Sequence, residues 1–207
     1  MSLSLAGTVS DLNELLNDSS NLTWTNAEKE HYVTAAVHFL SRGRRPKVWV
    51  EGEDETVLST ENVDAYNLPS GFFLIAELWL ERTVNSSPVC YDLIRNFRIW
   101  NDQFRVGQSA VPCATGLKFR IKGIKKFTSI TEVPEEYEDI ILDYAQHRAF
   151  TDISNHLTKF NTYSAKLQNI SRSDVVIRAR EHLTNASRAL AENSRPLPPV
   201  YMGSGEY

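Results

Sequence analysis

Catalysis or metal binding would need histidines, cysteines or carboxylates gathered at working distances, and this sequence spreads them thinly. His31 and His38 lie seven apart on one amphipathic stretch, so they share a face but lack the i, i+4 spacing of a helical metal pair. His147, His156 and His182 stand apart from one another. Cys90 and Cys113 form no Cys-X-X-Cys pair, and neither has a histidine nearby in sequence. Two cysteines in 207 residues are no disulfide framework and read as free thiols. There is no glycine-rich phosphate loop and no Gly-X-Ser-X-Gly elbow. The densest carboxylates, Glu135, Glu136, Glu138, Asp139 and Asp143, crowd the expected start of a helix, where they complement its dipole. Arg42, Arg44, Arg45 and Lys47 make a basic run that could meet phosphates or the acids of a neighbouring subunit; a solvated helix exit is the plainer reading. These residues predict no catalytic group, no metal and no cofactor, and hence a protein that is not an enzyme.

The elements that would position such groups fall into three segments and a tail. Val9, Leu12, Leu15 and Leu16 predict a first helix starting near Ser10 or Asp11, broken by the polar stretch 17–21. Thr25 and Glu28 form a capping box for a second helix, with Tyr32, Ala35, Ala36, Phe39 and Leu40 on its apolar face and Gly43 and Pro46 at its end. Trp24 precedes the cap and is placed to staple back onto that helix. From residue 47 the period changes from 3.6 to 2. Strands are predicted over 47–51, 73–81, 89–93, 97–100 and 117–121, an antiparallel module of sandwich or barrel type. Lys118, Arg120 and Lys122 alternate there with Phe119 and Ile121, which predicts one wet face rather than a nucleic-acid platform.

Helical character returns at Pro134, taken as a first helical residue, with Tyr137, Ile140, Ile141, Tyr144, Ala145, Ala149 and Phe150 on one face. Residues 161–170 are left open between helix and loop. Ser171 and Asp174 mark a last helix with the seam Val176, Ala179, Leu183, Ala186 and Leu190. Arg178, Arg180 and Arg188 lie off that seam. The expected class is therefore α+β: a helical bundle core of about four helices (1–46 and 131–193), interrupted by a β-rich insertion (47–130), with an extended tail (194–207). The tail carries Pro196, Pro198 and Pro199 with the apolar anchors Leu197, Val200, Tyr201, Met202 and Tyr207, so it needs a groove or a strand edge to hold it.

A net charge of −4, from 22 basic and 26 acidic residues, argues against a protein that grips phosphates over a basic face. The N-terminal residues lack the basic and long apolar regions of a signal peptide, and no stretch approaches the roughly 20 apolar residues of a membrane span. Asn-X-Ser/Thr triplets at Asn21, Asn85, Asn169 and Asn185 are accordingly read as chance.

The order of these elements resembles the head–tail adaptor (connector or neck) proteins of tailed bacteriophages. LNDSSNLTWTNAEKEHYVTAAVHFLSR (16–42) and GLKFRIKGIKKFTSITEVPEEYEDIILDYAQHRAF (116–150) carry most of the likeness, which spans nearly the whole chain except 161–170. The resemblance implies a ring, typically of twelve copies, below the portal protein in the virion neck and assembled in the host cytoplasm. Such a ring continues the DNA channel without sequence-specific binding and receives the stopper or tail-completion protein. It also implies that Pro196, Leu197, Val200, Tyr201, Met202 and Tyr207 bind the portal, and that Arg42, Arg44, Arg45 and Lys47 face a neighbouring subunit or DNA. Two rivals remain at this point: a cytoplasmic DNA-binding or packaging regulator using the first two helices, and a small enzyme assembled around Cys90, Cys113 and a histidine.

Overall fold

A computed structural model describes residues 2–42, 47–84, 87–167 and 170–195. It is α+β, with five α-helices and two antiparallel sheets among the described residues. The chain divides into two compact units, a helical one of residues 1–48 with 127–195 and a β-rich one of 49–126. No helix among the described residues is long and apolar enough to cross a membrane.

The helical unit holds α1 (Leu5–Leu15), α2 (Asn26–Leu40), α3 (Glu138–Asn155), α4 (Leu157–Lys166) and α5 (Arg172–Glu192). Helix α3 is its axis, with α1, α2, α4 and α5 all packed against it. The capping boxes at Thr25/Glu28 and Ser171/Asp174 both form, because a hydroxyl and a carboxylate three residues apart satisfy two orphan amides reciprocally. Helix α1 starts earlier than its apolar spacing suggests, since Ser4 accepts the Gly7 amide and serves as the cap in place of Ser10 or Asp11. Its Leu15 points outward and is 49% exposed, whereas Leu12 and Leu16 are buried. Pro134 precedes a 3-10 turn (Glu135–Tyr137) instead of opening α3 directly. The undecided segment is helical through Lys166, which raises the count from about four helices to five. In α5 the buried residues are Val175, Ala179, Ala186 and Leu190, while Val176 and Leu183 are only half-buried. The seam is set by the α3 surface it meets rather than by the strongest apolar period in α5 itself.

The β-rich unit has seven strands among the described residues: β1 (Val50–Asp54), β2 (Ala65–Asn67), β3 (Phe72–Glu81), β4 (Tyr91–Ile94), β5 (Phe97–Trp100), β6 (Gln103–Val106) and β7 (Phe119–Lys125). They form a four-stranded sheet in the order β1-β7-β3-β4 and a three-stranded sheet in the order β2-β6-β5. Among the described residues neither sheet closes on itself, so the unit is not a closed barrel. Tyr66, Phe104 and Val106 from one sheet share an apolar cluster with Phe72, Ile75, Leu78, Ile94, Phe119 and Ile121 from the other. Strands β2 and β6 escape prediction. β6 follows a two-residue turn in which Asn101 and Asp102 both take positive φ (49° and 56°), the geometry that closes a tight hairpin with β5.

The alternation in β7 is as expected: Phe119 and Ile121 are buried, while Arg120 pairs with Glu53 and Glu55 on the wet face. Gly123 sits where β3 carries a register shift, and a Cβ there would lie 2.1 Å from the Leu74 carbonyl oxygen. Gly123→Ala must therefore displace backbone. It should lower stability by about 1–3 kcal/mol, measured as the shift of the urea midpoint; an unchanged midpoint would show that the sheet simply opens to admit the methyl.

Candidate assembly surface

The structure describes the root of the predicted C-terminal arm, up to Arg195. After α5 closes on Asn193, whose amide donates to the Ala189 carbonyl at 3.0 Å, the chain is fastened at Arg195. The Arg195 amide donates to the Lys47 carbonyl at 2.8 Å. Its guanidinium pairs with Glu136 at 2.5 Å and lies over the Tyr137 ring, 5.6 Å from the centroid. Planar guanidinium suits this double contact with a carboxylate and an aromatic face. Burial first, then Glu136, raises the Tyr137 hydroxyl above the ordinary range, so it stays neutral. The arm thus departs from a fixed point beside Lys47, at the end of the basic run.

Arg42 and Lys47 are exposed and carry no ion-pair partner among the described residues. Arg44 and Arg45 lie outside the described residues, as do Pro196, Leu197, Val200, Tyr201, Met202 and Tyr207. The structure therefore brings the basic run and the arm's root together at Lys47 and Arg195.

The acidic cluster does more than complement a helix dipole. Glu136 holds Arg195, and Asp143 lies 2.8 Å from the Nδ1 atom of His182. Glu138 has its carboxyl pushed up, by burial first and then by Asp11, Asp139 and Glu135. His147 is lowered by burial, which keeps its ring neutral, and its Nδ1 lies 2.8 Å from the Ala179 carbonyl. A carbonyl only accepts, so Nδ1 carries the proton and donates it to α5.

Two ionic networks that sequence reading missed knit the helices together. Asp18 and Lys29 have fully buried side chains 3.1 Å apart, and Lys166 reaches the same carboxylate at 2.5 Å. The Asp18 carboxylate also accepts the amides of Leu22, Thr23 and Trp24, shaping the turn between α1 and α2. Lys29 completes its bonding to the Asp18 carbonyl and the Asn21 side chain. Burial alone would raise the Asp18 carboxyl, but the hydrogen bonds from Lys166, Trp24, Lys29 and Thr23 outweigh it and hold it at about 2. In the second network, Lys159 bridges Glu28 and Asp152, and the Tyr32 hydroxyl donates to Asp152 at 2.8 Å. Burial opposes the Lys159 charge, yet its bonds to Asp152 and Glu28 raise it above the ordinary value. An ammonium held charged is no nucleophile, and a carboxylate near 2 is no base at neutral pH. Both networks act as fastenings.

All five histidines belong to the helical unit and both cysteines to the β-rich unit. The thiols of Cys90 and Cys113 are free and exposed, as expected. Among the described residues no three of His, Cys, Asp or Glu are grouped to hold a metal ion. What the surface of the helical unit does offer is apolar area: Leu157 (61% exposed), Ile177 (51%), Leu22 and Leu15. Ile177 stands with Arg180, Glu181, Thr184 and Asn185 around a shallow depression on the outer face of α5. No protein-family model matches this sequence, and no curated protein matches it.

Proposed function

We propose that this chain is a structural head–tail adaptor of a tailed bacteriophage. It forms a ring of about twelve copies below the portal, continues the DNA channel and receives the stopper or tail-completion protein. The helical unit is the ring-forming core, and the two-sheet unit is a sandwich-like insertion that decorates it. The observation that carries this reading is the clamp at Arg195, which gives a twelve-residue arm of prolines and apolar anchors a fixed point of departure. The order of elements, two helices, a β-insertion and three further helices, supports it further. Leu157 and Ile177 supply apolar contacts for neighbouring copies, in an interface that closes by rotation. Each arm is a weak ligand, but many arms on one ring bind with an effective concentration that a single arm lacks.

Portal rings from the same genome test the reading. The full chain should fill the ring stoichiometrically, and a chain ending at Arg195, which keeps the clamp, should lose more than tenfold in occupancy. A shortened chain that still fills the ring would refute the arm's role, and a full chain that leaves it empty would refute the adaptor.

A further inference from the structure

The register of the three-stranded sheet lines up Ala65, Arg105 and Arg98 in one row and Asn67, Gln103 and Trp100 in the next. Successive strand side chains point to opposite sides, and the alternate residues Tyr66, Phe104 and Val106 are buried in the core. The six therefore stand on the outer face, where Arg98 is exposed and Trp100 is 66% exposed. Arg98 and Arg105 are directly opposite, with Cβ atoms about 5 Å apart, and like charges so placed cost stability. Neither guanidinium has an ion-pair or hydrogen-bond partner among the described residues, and the Arg105 Nε–H is shielded from water with no acceptor. No acid occupies the face: Asp64 precedes β2 and Asp102 sits in the β5–β6 turn, and neither pairs with these arginines. The Gln103 Nε2 atom donates to Asn67 Oδ1 at 3.2 Å, which holds the two amides side by side. That bond leaves the Gln103 carbonyl oxygen and the Asn67 amide hydrogens able to meet a ligand.

We propose that this face binds single-stranded nucleic acid, with a phosphate held between Arg98 and Arg105 and a base stacked on Trp100. An anion between the guanidiniums removes their repulsion and gives both an acceptor. Trp100 follows two residues along β5, about 7 Å away, close enough to take the base beside that phosphate. Gln103, opposite Trp100, and Asn67 beyond it offer an acceptor and a donor to the edge of the same base. The stacking surface needs a base out of its duplex, so the ligand is a single strand. An acidic peptide would answer the guanidiniums but leave the indole and the amides unused. With a net charge of −4, the chain can attract phosphate only through such a local cation pair.

Fluorescence anisotropy of a short labelled oligothymidylate, titrated with the full chain and no other protein, tests this independently of the adaptor reading. Trp100→Ala should weaken binding about ten- to a hundredfold, the loss of one stacked base. Trp100→Phe, which keeps a ring, should restore most of that. Arg98→Gln should flatten the slope of log affinity against log salt by about 0.3–0.7, part or all of one phosphate contact on a single strand. Both residues are exposed on the edge strand β5, so these variants keep the fold, checked by an unchanged urea midpoint. No binding at millimolar protein would overturn the proposal, as would equal affinity of the unaltered chain and Trp100→Ala. Displacement of the oligonucleotide by polyglutamate at equal charge would overturn it too, by assigning the face to an acidic polypeptide.

Discussion

Asp18→Ala should lower the stability of the helical unit by about 3–5 kcal/mol, the cost of removing one member of a buried ion pair. The substitution strands the Lys29 ammonium, which is fully buried, with only the Asp18 carbonyl and the Asn21 side chain for partners. It also leaves the amides of Leu22, Thr23 and Trp24 without the carboxylate that shapes their turn. Asp18→Asn, which keeps an acceptor for those amides, should lose less, and Lys166→Ala less still because Lys166 is partly exposed. Urea unfolding followed by far-UV circular dichroism ranks the three; an Asp18→Ala cost under about 1 kcal/mol would show that water replaces the carboxylate.

The same group sets an acid limit. Its folded value of about 2 lies below the ordinary 3.8, so the charged form is the one the fold favours. The resulting stability, about 2 kcal/mol, is fully present above pH 4 and is lost as pH falls through about 2. In Asp18→Asn that increment of the acid transition should be missing.

Trp24→Ala is the other large effect expected, at about 3–5 kcal/mol. The side chain is fully buried, its ring meets Phe150 and Tyr163 edge-on at centroid distances of 6.4 and 5.6 Å, and its Nε1–H donates to the Ala149 carbonyl. One residue thereby joins the start of α2 to both α3 and α4. Trp24→Phe retains much of the packing and forfeits the hydrogen bond, so it should cost roughly 1–2 kcal/mol. Equal losses for the two variants would place the energy in the hydrogen bond instead of the packing.

Much of the local structure is legible in the residues because its causes are local. A hydroxyl and a carboxylate three apart cap α2 and α5 whatever surrounds them. Alternation of Phe119 and Ile121 with Arg120 and Lys122 states which face of β7 is dry, since successive strand side chains point to opposite sides. Strands β2 and β6, three and four residues long, carry too few residues for a period to show, and their assignment rests on pairing with each other. The β5–β6 turn was the available clue, because Asn101-Asp102 tolerates the left-handed backbone that such a hairpin demands.

The candidate surface divides in the same way. The arm's composition and the basic run are visible in sequence, but the clamp that roots the arm needs Lys47, Glu136, Tyr137 and Arg195, drawn from three separate stretches of chain. Trp24, expected to staple back onto α2, packs edge-on against Phe150 and Tyr163, more than a hundred residues away. Asp18 looked like one polar residue in a helix-breaking stretch, and its burial depends on Lys29 and Lys166 arriving from two other helices. By itself, then, the sequence determined the α+β class, the capped starts of α2 and α5, the wet and dry faces of β7 and the free state of both thiols. Tertiary structure alone decided which polar residues are buried, which seam α5 presents and where the arm is anchored. Propensity and periodicity act within a few neighbouring residues, whereas desolvation and ion pairing depend on what the rest of the chain brings alongside.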